Sequence, residues 1–203
     1  MSRNRGPSRL EALSLGLVAT GAVSIGAAVV VGAVGAGVEI FASPVAVSLP
    51  VHDAPMASLA DASGVTAAEY TQSLVSFEAL DAGIRWLLLL EVALPALATV
   101  IVCASLWWLG FSLIRQRAFR RSMVPMLVTA SFALIVAGML APMFGAFARA
   151  EMVAQLPLAD TGEFWMLMYE LNPAPIGWGI ALALVATAFE VGQRLQRETE
   201  GLV

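Results

Sequence analysis

Chemistry has few places to sit in this sequence, and the most distinctive is Glu91. It is the only charged residue in the run WLLLLEVALPALATVIVCASLWW, positions 86–108. A carboxylate embedded among leucines can carry a proton, hold a cation or anchor a ligand, and such a side chain faces a helix bundle or water rather than lipid. Pro95 follows four residues later. Proline has no N–H, so the carbonyl of Glu91 would lose its helical donor, and one residue would present both a carboxyl group and a freed carbonyl. Pro142 stands in the same relation to Gly138, so the two stretches could line a small polar cavity. The competing reading is a glutamate held between helices for structural reasons alone.

Two further groups invite attention. Glu190 and Arg194, in AFEVGQRLQRETEGLV, are one helical turn apart. They fit an ion pair within one helix, with the arginine reaching to the interface, or a contact with a partner helix or cytosolic protein. Arg115, Arg117, Arg120 and Arg121 crowd into RQRAFRR. They could meet anionic lipid head groups or a partner's acidic face, although setting the chain's orientation explains them equally well.

Much chemistry is excluded. His52 is the only histidine and Cys103 the only cysteine, which rules out a bis-histidine haem, a His/Cys zinc site and a disulfide within the chain. No glycine-rich phosphate loop opens a helix after a strand, and no nucleophile-elbow motif lies near His52. No catalytic residue, cofactor or metal ligand is assigned, and the chain is expected not to be an enzyme.

The elements that position these residues follow from composition. Of 203 residues, 59% are hydrophobic and only 13% charged, with a mean hydropathy of +0.83. Such a chain is an integral membrane protein. Every basic residue is arginine, as in a bacterial genome rich in G and C. Four spans are expected, at about 12–38, 86–114, 122–148 and 174–195. They are joined by outer loops at 39–85 and 149–173 and an inner turn at 115–121. The first could be mistaken for a signal peptide, but its 27 uncharged residues exceed a signal core of about 7–15. Gly16, Thr20, Ser24, Ala28, Gly32 and Ala36 form a four-spaced row of small residues that would let another helix approach. In the second span, Trp86 and the pair Trp107 and Trp108 mark the two membrane interfaces, and Trp178 marks one end of the fourth. Glu91 then lies about 7–8 Å below Trp86 by helical rise.

The long outer loop carries Val45, Val47, Leu49 and Val51 on one face of a short strand, which Pro44 and Pro50 confine to an edge. Thr66 and Glu69 form a capping box predicting a helix from Ala67, and Asp81 can cap the second span. FWMLMYEL, 164–171, is too apolar for a free loop and too short to span; it is read as a strand against Val45–Val51, with an interfacial lid as the alternative. The expected fold is an all-α membrane protein, a four-transmembrane-helix bundle with a small extracytoplasmic loop region containing short β-strands. Nine arginines fall on the side of the amino terminus and two, Arg85 and Arg149, on the other. Both termini are therefore expected in the cytoplasm of a bacterial cell, the protein lying in the inner membrane.

The carboxy-terminal run AFEVGQRLQRETEGLV, the four-span layout with its long acidic loop, and the arginine-rich turn resemble an uncharacterised bacterial membrane family, domain-of-unknown-function family 2975. The specific match falls on Glu190, Gly192, Leu195, Glu198, Glu200, Leu202 and Val203. Phe189 stands where the family pattern has alanine, and the inner turn lacks the longer Gly-acid-Pro-Phe element. The resemblance implies pairing with a helix-turn-helix regulator and implies no activity.

The expectation is a non-catalytic protein acting through protein contacts in the lipid bilayer, as a regulatory or sensor-like partner or an accessory subunit. A homo-oligomer is compatible with this, and no direct nucleic-acid binding is expected. The alternative is a small transporter or channel using Glu91. Four spans with so few intramembrane polar groups leave it little room for a path.

Overall fold

The computed structural model describes residues 9–55, 68–114, 123–156 and 164–200, together with Ser63, Gly64 and Thr66. The elements run α1 (Arg9–Phe41), β1 (Val45–Pro55), β2 (Glu69–Phe77), α2 (Ala82–Ile114), α3 (Met123–Ala154) and α4 (Pro173–Glu200). Among the described residues, four helical stretches are long and apolar enough to cross a membrane: Gly16–Phe41, Ala82–Ser112, Met123–Ala154 and Pro173–Leu195. The fold is an all-α four-helix membrane bundle with one two-stranded sheet. The arginine-rich turn at 115–121, with Arg115, Arg117, Arg120 and Arg121, lies outside the described residues.

Lipid offers the backbone no hydrogen-bond partners, so an apolar run of this length satisfies itself as helix. Hydroxyl groups follow the same rule. Thr20, Thr99, Ser105, Thr129 and Thr187 each donate to the carbonyl four residues back, at 2.8–3.0 Å. Pro95 and Pro142 lie inside α2 and α3 without ending either. Asp81 caps α2 as its position suggested, its Oδ1 accepting from the Ala82 N–H at 2.9 Å. Asn172 does the same for Ala174 at the start of α4.

The chain divides into two compact units. The helical unit, Met1–Val34, Ala93–Met139 and Asn172–Val203, buries mainly small side chains: Ala22, Ala98, Cys103, Ala130, Ala137 and Ala186, with Met123, Leu127 and three serines. Small residues suit a membrane bundle, where close backbone approach replaces a hydrophobic driving force. One close approach is between α3 and α4. Ser131 Oγ donates to the Gly179 carbonyl at 2.7 Å, and a Cβ on Gly179 would come within 2.6 Å of Ile135 Cγ1. On the facing helix, a Cβ on Gly138 would lie 3.1 Å from Ile176 Cγ1.

The four-spaced row on α1 is not its packing face. Thr20, Ser24, Ala28 and Gly32 are exposed, and a Cβ on Gly16 or Gly32 would meet nothing within 4 Å. The sheltered positions of this unit include Ala19, Ala22, Gly26, Val29 and Ala33, spaced alternately by three and four. A four-residue step advances about 400°, so each step drifts about 40° and a long four-spaced row winds off any seam, whereas a 3.5 average stays on it. Gly26 meets α2 there, its virtual Cβ 3.4 Å from Cys103 Cβ.

The sheet unit, Gly35–Val92 and Leu140–Leu171, is built on β1 paired antiparallel with β2, in the register Val45↔Phe77, Val47↔Val75 and Leu49↔Ser73. The alternation that put Val45, Val47 and Leu49 on one face is realised. Val45 and Leu49 pack into a core with Leu80, Ile84, Leu88, Ala148, Met152 and Val153, and Val47, Val75 and Phe77 cover it.

Three local expectations fail here. Glu69, read as the end of a capping box, starts β2 instead of a helix from Ala67. The box is a signal of about four residues, whereas Tyr70, Thr71, Val75 and Phe77 favour a strand and β1 offers it a full ladder. FWMLMYEL is not the ladder partner of β1, which is β2; it meets β1 through the isolated bridge Val51↔Phe164 and the hydrogen bond from Trp165 N–H to the Pro50 carbonyl at 3.2 Å. Pro50 and the register shift between Pro50 and Ala54 interrupt that region of β1, and proline cannot donate to a ladder. His52 belongs to β1 rather than to a loop, and stacks on Trp165 with ring centroids 3.8 Å apart.

Candidate functional site

Arg149 and Arg85, the two arginines on the acidic side of the sequence, both belong to the sheet unit, and each is engaged. Arg85, one turn into α2, closes the end of α1. Its Nη1 donates to the carbonyls of Ile40 and Ala42, each at 2.9 Å, its Nε to the Leu80 carbonyl at 3.3 Å, and its Nη2 to Ser43 Oγ at 3.3 Å. Carbonyls at a helix carboxy-terminus lack helical donors and carry partial negative charge, so a guanidinium suits them.

Arg149, in the last turns of α3, meets Glu91 of α2. Nη2 donates to Oε1 at 2.8 Å and Nη1 to Oε2 at 3.3 Å, a two-pronged pair. Each side chain keeps 27% of its surface accessible, so the pair is sheltered without being sealed. Gly145 lies directly beneath. A Cβ there would collide with the Glu91 carboxylate and with Arg149 Nη2. Positions 145 and 149 are one turn apart on one face of α3, so the glycine makes the space in which the pair closes.

Two cavities border this pair. The larger, about 420 Å³, is lined by Glu39, Ser48, Glu91 and Arg149 against apolar walls that include Ile40, Val47 and Leu88. The smaller, about 250 Å³, has Ser48, Gln72, Glu91, Arg149, Met168 and Glu170 around it. Ser48 Oγ donates to Gln72 Oε1 at 2.9 Å across the two strands. A polar cavity beside Glu91 therefore exists, but the sheet, Arg149 and Glu170 build it. Pro95 itself is exposed and lines neither cavity.

Glu190 and Arg194 lie one turn apart on exposed positions of α4 in the helical unit. Sequence reading missed Arg149, Gly145, Glu39, Ser48, Gln72 and Glu170 as site residues. A usable signal was present for Arg149. An arginine closing an apolar span needs a local acidic partner, and Glu91 was the one carboxylate inside the second apolar run.

Comparison of the chain with protein-family models, with curated proteins and with solved structures finds no match. What the fold defines is the class, a multi-pass membrane protein. Four apolar spans present Leu17, Val31, Phe132, Leu184 and many similar side chains outward, a surface suited to lipid and not to water.

Proposed function

We propose that this is a non-catalytic protein of a bacterial inner membrane, with both termini in the cytoplasm, that works through protein contacts as a sensor-like or regulatory partner or an accessory subunit. The observation that carries the reading is the segment Trp165–Leu171. Trp165, Met166, Leu167, Met168, Tyr169 and Leu171 are all at least 40% exposed, in a stretch that is neither helix nor strand and precedes the start of α4. Exposed apolar side chains on a spanning helix are covered by lipid, but this run lies outside the spans, where such a surface marks a face for a protein partner or for the membrane surface; adducts from Leu167 separate the two. Pairing of Glu91 with Arg149 also favours this reading over transport, because the one carboxylate inside the second apolar run is held by a neighbour. The resemblance to domain-of-unknown-function family 2975 is compatible with it and adds a helix-turn-helix regulator as a candidate cytosolic partner.

The test is photo-crosslinking in cells from Leu167, with the same crosslinker at Leu74 on the exposed face of β2 as control. A discrete protein adduct from Leu167 alone, lost on Met166→Asp, is the expected result. Adducts with lipid alone, together with Glu91-dependent flux through purified protein in liposomes, would replace this reading with the transporter.

A further inference from the structure

Beyond those protein contacts, we propose that the sheet unit contains a ligand site for an organic cation with an apolar body, seated in the cavity of about 420 Å³ beside the Glu91–Arg149 pair. That size falls within the range of about 300–1,000 Å³ usual for small-molecule sites, which combine apolar walls with a few placed polar groups. Ile40, Val45, Val47, Leu88 and Val92 supply the walls, and Glu39, Ser48, Glu91 and Arg149 the polar groups.

Charge decides the class of ligand. Arg149 already donates two hydrogen bonds to Glu91, and Arg85 nearby is turned onto the carbonyls of Ile40 and Ala42, so among the residues lining the cavity Glu39 is the charged side chain without an opposite charge bonded to it. The smaller cavity, which also borders the pair, has a second carboxylate in Glu170. An anion drawn to the remaining N–H groups of Arg149 would face the carboxylates of both Glu91 and Glu39. A cation meets a carboxylate in either cavity and disturbs nothing. The walls then separate organic from inorganic cations: shedding a metal ion's water demands several oxygen ligands, and among the described residues no three His, Cys, Asp or Glu side chains converge to hold a metal. An alkylated ammonium needs fewer, because it gives up little hydration and its chains are at home against valine and leucine.

The full chain, purified in a nonionic detergent, is titrated by calorimetry with hexyltrimethylammonium, hexyl sulfate and hexanol. Saturable one-to-one binding of the ammonium is expected, with neither the sulfate nor the alcohol matching it. Glu39→Gln, at an exposed position that leaves the ion pair intact, should weaken the ammonium about fivefold or more, as loss of a nearby opposite charge would. Ala46→Trp, at an exposed strand position on the cavity wall, should abolish binding by filling the space. Both variants are checked for an unchanged elution profile first. The proposal is overturned by absence of saturable binding, by equal affinity for hexyl sulfate or hexanol, or by an affinity that neither substitution changes.

Discussion

The carboxylate of Glu91 and the guanidinium of Arg149 close on each other by two hydrogen bonds, of 2.8 and 3.3 Å. They do so over the bare backbone of Gly145. The pair and the glycine therefore act as one unit joining α2 to α3.

Gly145→Ala should destabilise the protein by about 2 kcal/mol or more, because the added methyl group must displace the ion pair. On helix propensity alone, the same exchange would stabilise by up to about 1 kcal/mol. Gly32→Ala on α1, where a Cβ meets nothing within 4 Å, supplies that comparison. Thermal unfolding in detergent should show opposite signs for the two variants; equal shifts would mean that the close approach at Gly145 is not restrictive.

Removing one member of the pair should cost more than removing both. Arg149→Met and Glu91→Leu each strand a sheltered charge, for which about 1–3 kcal/mol is reasonable after allowing for the pair's partial exposure. The double variant replaces the pair by apolar contacts and should recover much of that loss. A double-mutant cycle measures the coupling, and a coupling near zero would show that the two residues do not act together.

Gly179→Ala should loosen the α3–α4 contact, since its Cβ would lie 2.6 Å from Ile135 Cγ1 and 2.9 Å from the Ser131 carbonyl oxygen. Gly177, two residues earlier, has nothing within 4 Å of its virtual Cβ and should accept alanine without loss. Crosslinking yield between cysteines on α3 and α4, in a Cys103→Ala background, should fall for the first variant and hold for the second.

Arg85→Ala should free the end of α1 by leaving the carbonyls of Ile40 and Ala42 without their donor. A loss of about 1–3 kcal/mol is expected for hydrogen bonds to a charged group. Hydrogen exchange should accelerate at Ala42 and along β1, and Arg85→Lys should rescue only in part, because an ammonium cannot reproduce the guanidinium fork.

Orientation is open to direct measurement. In the Cys103→Ala background, a cysteine at Leu74 should react with a membrane-impermeant maleimide added outside intact cells, while one at Gln116 in the arginine-rich turn should react only after lysis. The reverse pattern would invert the proposed topology.

Local regularities along the chain carried much of the fold. Uninterrupted apolar length announced four helices long enough to cross a membrane, alternation placed Val45, Val47 and Leu49 on one face of a strand, and Asp81 announced its helix. Each of these depends on neighbours within a few residues, so the residue order suffices. The capping box at Thr66 and Glu69 was equally local and was wrong, because a strand ladder with β1 outweighed it. The partner of β1, the seam of α1 and the glycines under tight contacts depend on which segments the fold brings together. So does the site: Glu91 stood out as a carboxylate in an apolar run, but its partner lies 58 residues away. Matching the depths of two charges across different helices requires the helices to be docked, and no periodicity within either one contains that distance.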